Sequence, residues 1–439
     1  MVWCFEDEDK ITLNRKMLDP KWVRDNPEEL RSAAVKKGIE PGIVDDFICL
    51  DSEYRQLLQS VEGLRSDLRV QSKQLGKLSP EEREPALANQ REKKKHLKDL
   101  EKQQAILQER VRSAALLLPM PPAIDVPEGK DDQDNVVIDQ WGEVPSFSFP
   151  PLSHDELAER LGWLDIKRGV KLAGSRNYLL LGELAKLERA VLNLALDHMI
   201  EKGFEFVGVP SLVKRSCMEG TGYFPGGEEQ AYIVDRDGLV LTGTSEVPLT
   251  SIHSDEILQE ESLPLRRVAV SPCFRREAGT YGKDTKGLYR VHQFWKVEQV
   301  VIGPNDITWS FDEHERMLGH ATSLMQKLEL PYRVVNVCGG DLGQGQVQKY
   351  DIETWMPSRN DFGETHSASR FYDFQTRRLN IRYRKVEDNK PHYCHSLNNT
   401  VIASPRVLIA LLENHQLEGL KVRIPSALQP YMQGRKVIG

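Results

Sequence analysis

Two heptad runs facing one another across a short turn constrain this chain more than any other feature. Apolar residues at Leu50, Tyr54, Leu57, Val61, Leu64 and Leu68, then Leu75 and Leu78, step alternately by four and three, interrupted at Gln71. After a turn around Gly76 to Pro85 the pattern resumes through Leu97, Leu100, Gln104, Leu107, Val111, Ala114 and Leu118. That spacing lays one apolar stripe along each helix, and two stripes joined by a short turn bury each other antiparallel. Ser79-Pro-Glu-Glu82 has the form of a helix start, with a capping serine, proline in the first turn and glutamate three residues on. Pro85 predicts a kink in that first turn. At ~1.5 Å rise per residue, arms of roughly 30 to 35 residues reach about 50 Å, beyond the body of an ordinary domain.

A chain of 439 residues with 39% hydrophobic content predicts two or three domains and a substantial core. No stretch approaches the ~18 consecutive apolar residues of a membrane span, and the start, MVWCFEDEDK, lacks the positive-then-apolar order of a signal peptide. No membrane association is expected. Cysteines 4, 49, 217, 273, 338 and 394 form no CxxC pair, so neither zinc nor a disulfide framework is expected and reduced thiols are the default. A net charge of -7 is unusual for a nucleic-acid binder whose charge is evenly spread. Here it is uneven: from Arg69 to Lys98 nine Lys or Arg (69, 73, 77, 83, 91, 93, 94, 95, 98) meet four Glu (81, 82, 84, 92). The tip of the helical arm is locally basic, which fits either an RNA-binding surface or a solvated helix face.

Pro119-Met-Pro-Pro122, Pro127 and Asp131, Asp132 and Asp134 mark a linker over 119–134, between an N-terminal domain (1–118, arm from about 48) and a second domain over 135–439. In that domain helical patterns such as Gly182 to Lys202 alternate with β-type runs such as Phe204 to Val209. There is no regular βαβ repeat, GxGxxG or P-loop. The expected class is α+β, with an antiparallel sheet flanked by helices. Between Arg266 and Ile302 two β-type runs, Val268 to Phe274 and Leu288 to Val301, flank a Gly- and charge-rich loop. Arg275 at a strand end can clamp a phosphate with its planar fork, Glu277 can accept from an adenine amino group, and Phe294 can stack on a purine. The same pattern also fits a charged surface hairpin.

Phe274-Arg-Arg-Glu-Ala-Gly279, Lys283-Asp-Thr-Lys-Gly-Leu-Tyr-Arg290, His292-Gln-Phe294 and Lys296-Val-Glu298 follow one another without a gap. This run resembles motif 2 of the class II aminoacyl-tRNA synthetases and, in detail, the seryl-tRNA synthetase family. Thr244-Ser-Glu246 upstream and Ser396-Leu-Asn398 through Arg406 to Gln416 downstream agree in the required order, so the resemblance covers nearly the whole chain. It implies a class II catalytic domain that forms seryl-adenylate from serine and ATP and then charges tRNA-Ser, and it leaves open whether tRNA-Sec is charged as well. Lys202 to Pro210 resembles motif 1, which in the family forms a homodimer interface. The helical arm would hold the long variable arm of the tRNA, with Lys73, Lys77, Arg91 and Lys94 as candidate contacts.

The resemblance also assigns the site. Arg275 and Arg406 are the catalytic candidates, on the α- and γ-phosphates, with Arg290 near the outer phosphates and Glu277 and Phe294 on adenine. Read alone, Phe294 fits an apolar core and Arg406 a helix-capping arginine. Thr244, Glu246, Arg275, Glu298, Asn398 and Thr400 would take serine. Glu364 and Ser367, in Arg359 to Ser369, match the family stretch that holds Mg²⁺, a hard cation suited to oxygen ligands and phosphates. Where many members read Asn-Gly-Ser, this chain reads Asn398-Asn399-Thr400. An Asn tolerating positive φ and a slightly tighter pocket are the expected consequences. This variant also occurs in some organellar enzymes, so an organelle is the alternative to the cytoplasm. Two other classes compete: a ligase acting on a carrier protein, which would lack the arm, and a non-catalytic RNA-binding paralogue, which would lose Arg275, Glu277 or Arg406. All of these features are present.

Overall fold

The computed structural model describes residues 18–77, 79–279 and 287–439, forming two compact units that divide between Pro121 and Pro122. Leu78, the Lys77 side chain and segment 280–286, with Lys283 to Lys286 of the motif 2-like run, lie outside the described residues.

The N-terminal unit is helical: α1 (Pro20–Asp25), α2 (Pro27–Lys36), α3 (Gly42–Gln74) and α4 (Pro80–Ala115). The heptad stripe turns inward, with Val61 and Leu68 buried and Leu57, Leu64, Leu97, Leu100 and Leu107 half-buried. Antiparallel pairing is fixed by charge as well as by apolar contact: Arg65 reaches Glu101 at 2.7 Å and Lys93 lies 4.0 Å from Asp67. Near the tip a polar pair replaces the apolar seam, the buried Gln90 donating to Ser72 Oγ at 2.7 Å. α4 opens as its sequence predicts, with the Ser79 N–H donating to the Glu82 carboxylate at 3.2 Å. The helical span runs on through Pro85, which removes a single backbone donor there. At the other end Trp22, Val23 and Leu30 pack against Val44, Phe47 and Leu118.

The second unit is built on one eight-stranded sheet. Its strands are β1 (Val136–Trp141), β2 (Glu205–Phe206), β3 (Leu265–Phe274), β4 (Gln293–Gly303), β5 (Tyr332–Asn336), β6 (Gln348–Met356), β7 (Asp361–Arg370) and β8 (His395–Ala403). They lie in the order β1, β5, β6, β7, β8, β4, β3, β2. Every pairing is antiparallel except that of the edge strand β2, which runs parallel to β3. Two strands are shorter than their sequence runs suggest. β4 starts at Gln293 rather than Leu288, because the Leu288 N–H is claimed by His154 Nε2 at 3.1 Å instead of by a neighbouring strand. β2 keeps only two residues of the run to Val209, since Pro210 cannot extend a ladder.

Four helices matter for the site: α5 (Gly182–Glu201), α6 (Glu246–Ser251), α7 (Ile307–Lys327) and α8 (Ser404–Asn414). Leu184, Leu187 and Val191 of α5, Val407, Leu408 and Leu411 of α8, and Met317 and Leu324 of α7 share one core with Val268, Val297, Val301, Leu397 and Val401 of the sheet. Each such side chain taken out of water contributes roughly 1.5–3 kcal/mol. Neighbouring strand residues point to opposite faces. α7 therefore covers the face carrying Gln299, Leu397 and Asn399, while a cleft opens on the face carrying Glu298, Asn398 and Thr400. No helix among the described residues is long and apolar enough to cross a membrane.

Candidate active site

The cleft encloses about 230 Å³ over the three central strands β4, β7 and β8. Glu246, Arg275, Glu277, Arg290, Phe294, Glu364, Ser367, Asn398, Thr400 and Arg406 all line it. Residues 160 positions apart in sequence thus meet in one hollow. Thr244 and Glu298 of the predicted set stand behind its wall, both fully buried. Thr244 Oγ1 accepts from the Glu246 N–H at 3.2 Å and so holds the start of α6.

β3 delivers Arg275 one residue past its end. The backbone there is locked to His292, whose carbonyl accepts from the Arg275 N–H at 2.9 Å while its Nδ1 meets the Arg275 carbonyl at 2.9 Å. The guanidinium lies 5.4 Å from the Phe294 ring centroid, and its Nε donates to the Gly243 carbonyl at 3.4 Å. Arg275 therefore enters the cleft on a fixed backbone with an aromatic platform beside it. Glu277 follows at φ +50, a conformation non-glycine residues adopt rarely, and pairs with Arg290 at 3.5 Å. Gly287 closes the loop at φ +67, where a Cβ would meet His154 Nε2 at 2.0 Å. His154 is held in turn by the buried Glu413 at 2.7 Å.

The floor of the cleft is a cluster of buried acceptors. On β4, Phe294, Lys296 and Glu298 alternate onto one face, and Lys296 pairs with Glu298. Opposite, β8 carries a β-bulge at Val401: Val297 faces Ile402, but the next residue, Glu298, faces Thr400. That extra residue shifts the phase of β8, so Asn398, Thr400 and Ala403 all line the cleft. Asn398 Nδ2 donates to Glu298 and to Glu246, each at 3.0 Å, and Thr400 Oγ1 donates to Glu298 at 3.3 Å. Glu246 also accepts from Tyr223 at 2.8 Å and Gln375 at 2.7 Å. Burial, and then the charge of Glu298, push the Glu246 carboxyl up to about 7.

The opposite wall is a ladder of alternating charges. Arg406, in the first turn of α8, reaches the Glu364 carboxylate at 3.1 Å and the Glu364 carbonyl at 2.9 Å. It also lies 4.6 Å from the Tyr289 ring centroid. Burial alone would raise the Glu364 pKa, but Arg406, followed by Lys349, holds it below the usual carboxylate range. Lys349 pairs with Asp351 at 3.3 Å, and burial pushes Asp351 up. Ser367 donates its hydroxyl to Asp351, which leaves the oxygen lone pairs available to a cation. Among the described residues no three His, Cys, Asp or Glu could by themselves hold a metal. One ionised, half-open carboxylate and one hydroxyl fit Mg²⁺, which takes few protein ligands and completes its shell with phosphates and water.

Tyr223, Lys296, Lys349 and Gln375 also shape the site without having been expected. Lys296 was visible in the sequence as the alternate position between Phe294 and Glu298, and Lys349 as the alternate partner of Asp351. Tyr223 and Gln375 arrive from distant segments and carry no such signal. The pattern variant is also resolved differently from its expectation. Asn399 lies in regular strand backbone, opposite Gln299 and Ala368, and is absent from the positive-φ residues. Its side chain turns away from the cleft and donates to the Met317 carbonyl of α7 at 2.8 Å. Of the candidate RNA contacts, Lys73, Arg91 and Lys94 are exposed on the arm, and the Lys77 side chain lies outside the described residues.

An antiparallel sheet with one arginine at a strand end, another at a helix start and carboxylates between them defines the core of a class II aminoacyl-tRNA synthetase. A family model described as the tRNA synthetase class II core domain (G, H, P, S and T) matches residues 232–415. A second, the seryl-tRNA synthetase N-terminal domain, matches residues 17–122. The chain is 44% identical to the serine–tRNA ligase of Deinococcus radiodurans over 423 residues, covering 96% of this chain and 99% of that one. The crystal structure of seryl-tRNA synthetase from Pyrococcus horikoshii complexed with ATP superposes with a TM-score of 0.89 at 42% identity, over 96% and 99% of the two chains. The cytoplasmic enzyme from Naegleria fowleri in complex with AMP gives 0.84 at 30%, over 96% and 98%. The chain belongs to the seryl-tRNA synthetase family.

Proposed function

We propose that this chain activates L-serine with ATP and transfers the seryl group to the 3' end of tRNA-Ser. The observation that carries the reading is the buried cluster Glu246–Asn398–Glu298, which faces Arg275 in the same cleft. A carboxylate oxygen of serine attacks the α-phosphorus of ATP, the bond to the bridging oxygen breaks, and pyrophosphate leaves with that electron pair. A terminal ribose hydroxyl of the tRNA then attacks the seryl carbonyl and AMP departs. The serine carboxylate is already ionised at neutral pH, so the first step needs positioning and charge stabilisation rather than a base.

In this reading Arg275 holds the α-phosphate and the serine carboxylate together. Arg406 and Arg290 exchange their present carboxylate partners for the outer phosphates, Glu277 accepts from the adenine amino group, and Phe294 stacks on the ring. Glu246 and Glu298 take the ammonium and hydroxyl of serine, with Asn398 and Thr400 fixing their spacing. The buried Asn398 Oδ1, without a partner among the described atoms, offers a further acceptor. Alanine would leave these acceptors unpaired, and the Thr400 methyl narrows the pocket against threonine. Glu364 and Ser367 would hold Mg²⁺, which neutralises phosphate charge when bound.

The basic arm tip, with Lys73, Lys77, Arg91 and Lys94, positions the tRNA by its backbone and shape. The N-terminal unit over 1–118, the linker over 119–134 and the catalytic domain over 135–439 divide the labour. Two copies pair through the segment Lys202 to Pro210, and the cytoplasm is the compartment, with an organelle as the alternative that fractionation decides. The deciding experiment is serine-dependent exchange of pyrophosphate into ATP without tRNA, with threonine, alanine and glycine as controls. Exchange with serine alone is expected; none with any amino acid, in folded protein, overturns the reading. Charging assays with tRNA-Ser beside tRNA-Sec then separate the two acceptors.

A further inference from the structure

We infer that Asn399 and Gln299, on the face of the sheet away from the cleft, form a clamp that sets the serine pocket's selectivity. This rests on the serine-activating reading above. The two residues are direct cross-strand partners, Gln299 on β4 and Asn399 on β8. Both side-chain amides donate to a single acceptor, the Met317 carbonyl of α7, at 3.1 Å and 2.8 Å. Gln299 is fixed further through its Oε1, which lies 3.3 Å from His320 Nδ1 one turn along α7. Both residues are fully buried, so each bond is shielded from water and its loss leaves a buried polar group unpaired.

The position of the clamp gives it leverage. Glu298 and Thr400 are the adjoining cross-strand pair, one residue away on each strand; Thr400 lines the cleft and Glu298 stands directly behind it, on the same face of the sheet. The β-bulge at Val401 lies immediately beyond Thr400, where the regular ladder between β8 and β4 is interrupted. Tying Gln299 and Asn399 to one carbonyl fixes the two strands against each other on the near side of that irregularity, where the Thr400–Glu298 contact of 3.3 Å is set. Serine and threonine share the hydroxyl and differ by one methyl group, so the spacing of β8 against β4 at Thr400 sets whether that methyl is accommodated. Asn399 and Gln299 touch no substrate; they are positioning residues acting through Thr400 and Glu298.

The test is steady-state pyrophosphate exchange on the full chain with Asn399→Ala, Gln299→Met and the double variant. The wild-type chain showing serine-dependent exchange secures the underlying reading; its failure there would sink that reading and not the clamp alone. For Asn399→Ala the serine KM rises about 10-fold and the serine-to-threonine ratio of kcat/KM falls by a similar factor, with the ATP KM unchanged. Because both donors share one carbonyl, the double variant loses less than the product of the single losses. A lowered thermal midpoint or active fraction with unaltered serine KM and selectivity would overturn the proposal and leave the clamp purely structural. Gln299→Met keeps volume while removing the other donor, and carries the same test if Asn399→Ala yields too little folded protein.

Discussion

Glu246 is ionised only above a pH of about 7, held up by burial and by the neighbouring charge of Glu298. An unfolded glutamate titrates near 4.5, so the protonated form contributes stability that is complete below that pH and lost as pH rises through about 7. Glu246→Gln removes the titration and gains relative to the native chain at pH 8, by at most about 3 kcal/mol. Urea unfolding at pH 5 and pH 8 checks the sign: the difference between the two proteins should widen toward the higher pH. A serine ammonium needs the ionised form, so the native serine KM is expected to fall from pH 6 to 8. At Gly287 the constraint is steric. Gly287→Ala combines a positive φ with a Cβ driven into His154, and should raise the ATP KM at least 10-fold through displacement of Tyr289 and Arg290. An unchanged ATP KM would show the loop end to be uninvolved. Arg275 and Glu277 were legible in the sequence because a strand end announces itself by abrupt polarity; Arg406, Glu246, Glu298 and Glu364 were placed by the family resemblance alone, and Glu298 and Glu364 sit mid-strand, where no local signal sets them apart. The regular strand backbone of Asn399 was not foreseen, although plain alternation between Asn398 and Thr400 turns its side chain away from the cleft; the entry of Ala403 into the cleft was not legible, because the one-residue bulge at Val401 reverses the faces beyond it and leaves no mark in composition.

At the scale of elements, the arm shows what sequence periodicity can and cannot convey. The alternation of four and three fixed the pairing of α3 and α4, since only one face of each helix is apolar. Helix α3 begins at Gly42, ahead of the expected start, because its first turns pack Val44 and Phe47 against Trp22 rather than against α4. The polar pair of Gln90 and Ser72 was hidden in a region that reads as a charged turn. The sheet shows the reverse balance. Its class was foreseeable from the missing βαβ repeat, yet the strand order, which brings β8 between β7 and β4, depends on long connections that no local pattern specifies. Removing residues 50–115 is expected to abolish charging of tRNA-Ser while leaving serine-dependent exchange within about twofold, because among the described residues none that lines the cleft comes from the arm. Loss of both activities would show that the arm supports the catalytic fold.

Over the whole molecule the acidic balance and the basic arm tip assign different ionic-strength behaviour to the two half-reactions. Exchange involves small substrates gripped in a cleft with partly buried ion pairs, which salt screens weakly. In the proposed reading tRNA is captured by exposed cations on the helical arm, so its affinity should fall steeply with salt, because binding releases the RNA's condensed counterions and that release is worth less as salt rises. Lys73, Arg91 and Lys94 are exposed and lie within the basic stretch. Replacing them together by Gln should weaken tRNA binding across sequences and flatten the plot of log affinity against log salt by about one unit for each phosphate no longer neutralised. Pyrophosphate exchange by the same variant should match the native chain at every salt concentration. Filter binding from about 50 to 300 mM salt, the range over which such slopes are steep, measures the first and exchange in identical buffers the second. An unaltered slope would mean that these cations are only a solvated face and that the RNA is held elsewhere on the chain. A flattened slope with unchanged exchange would place recognition on the arm and chemistry in the cleft, as separable functions of one polypeptide.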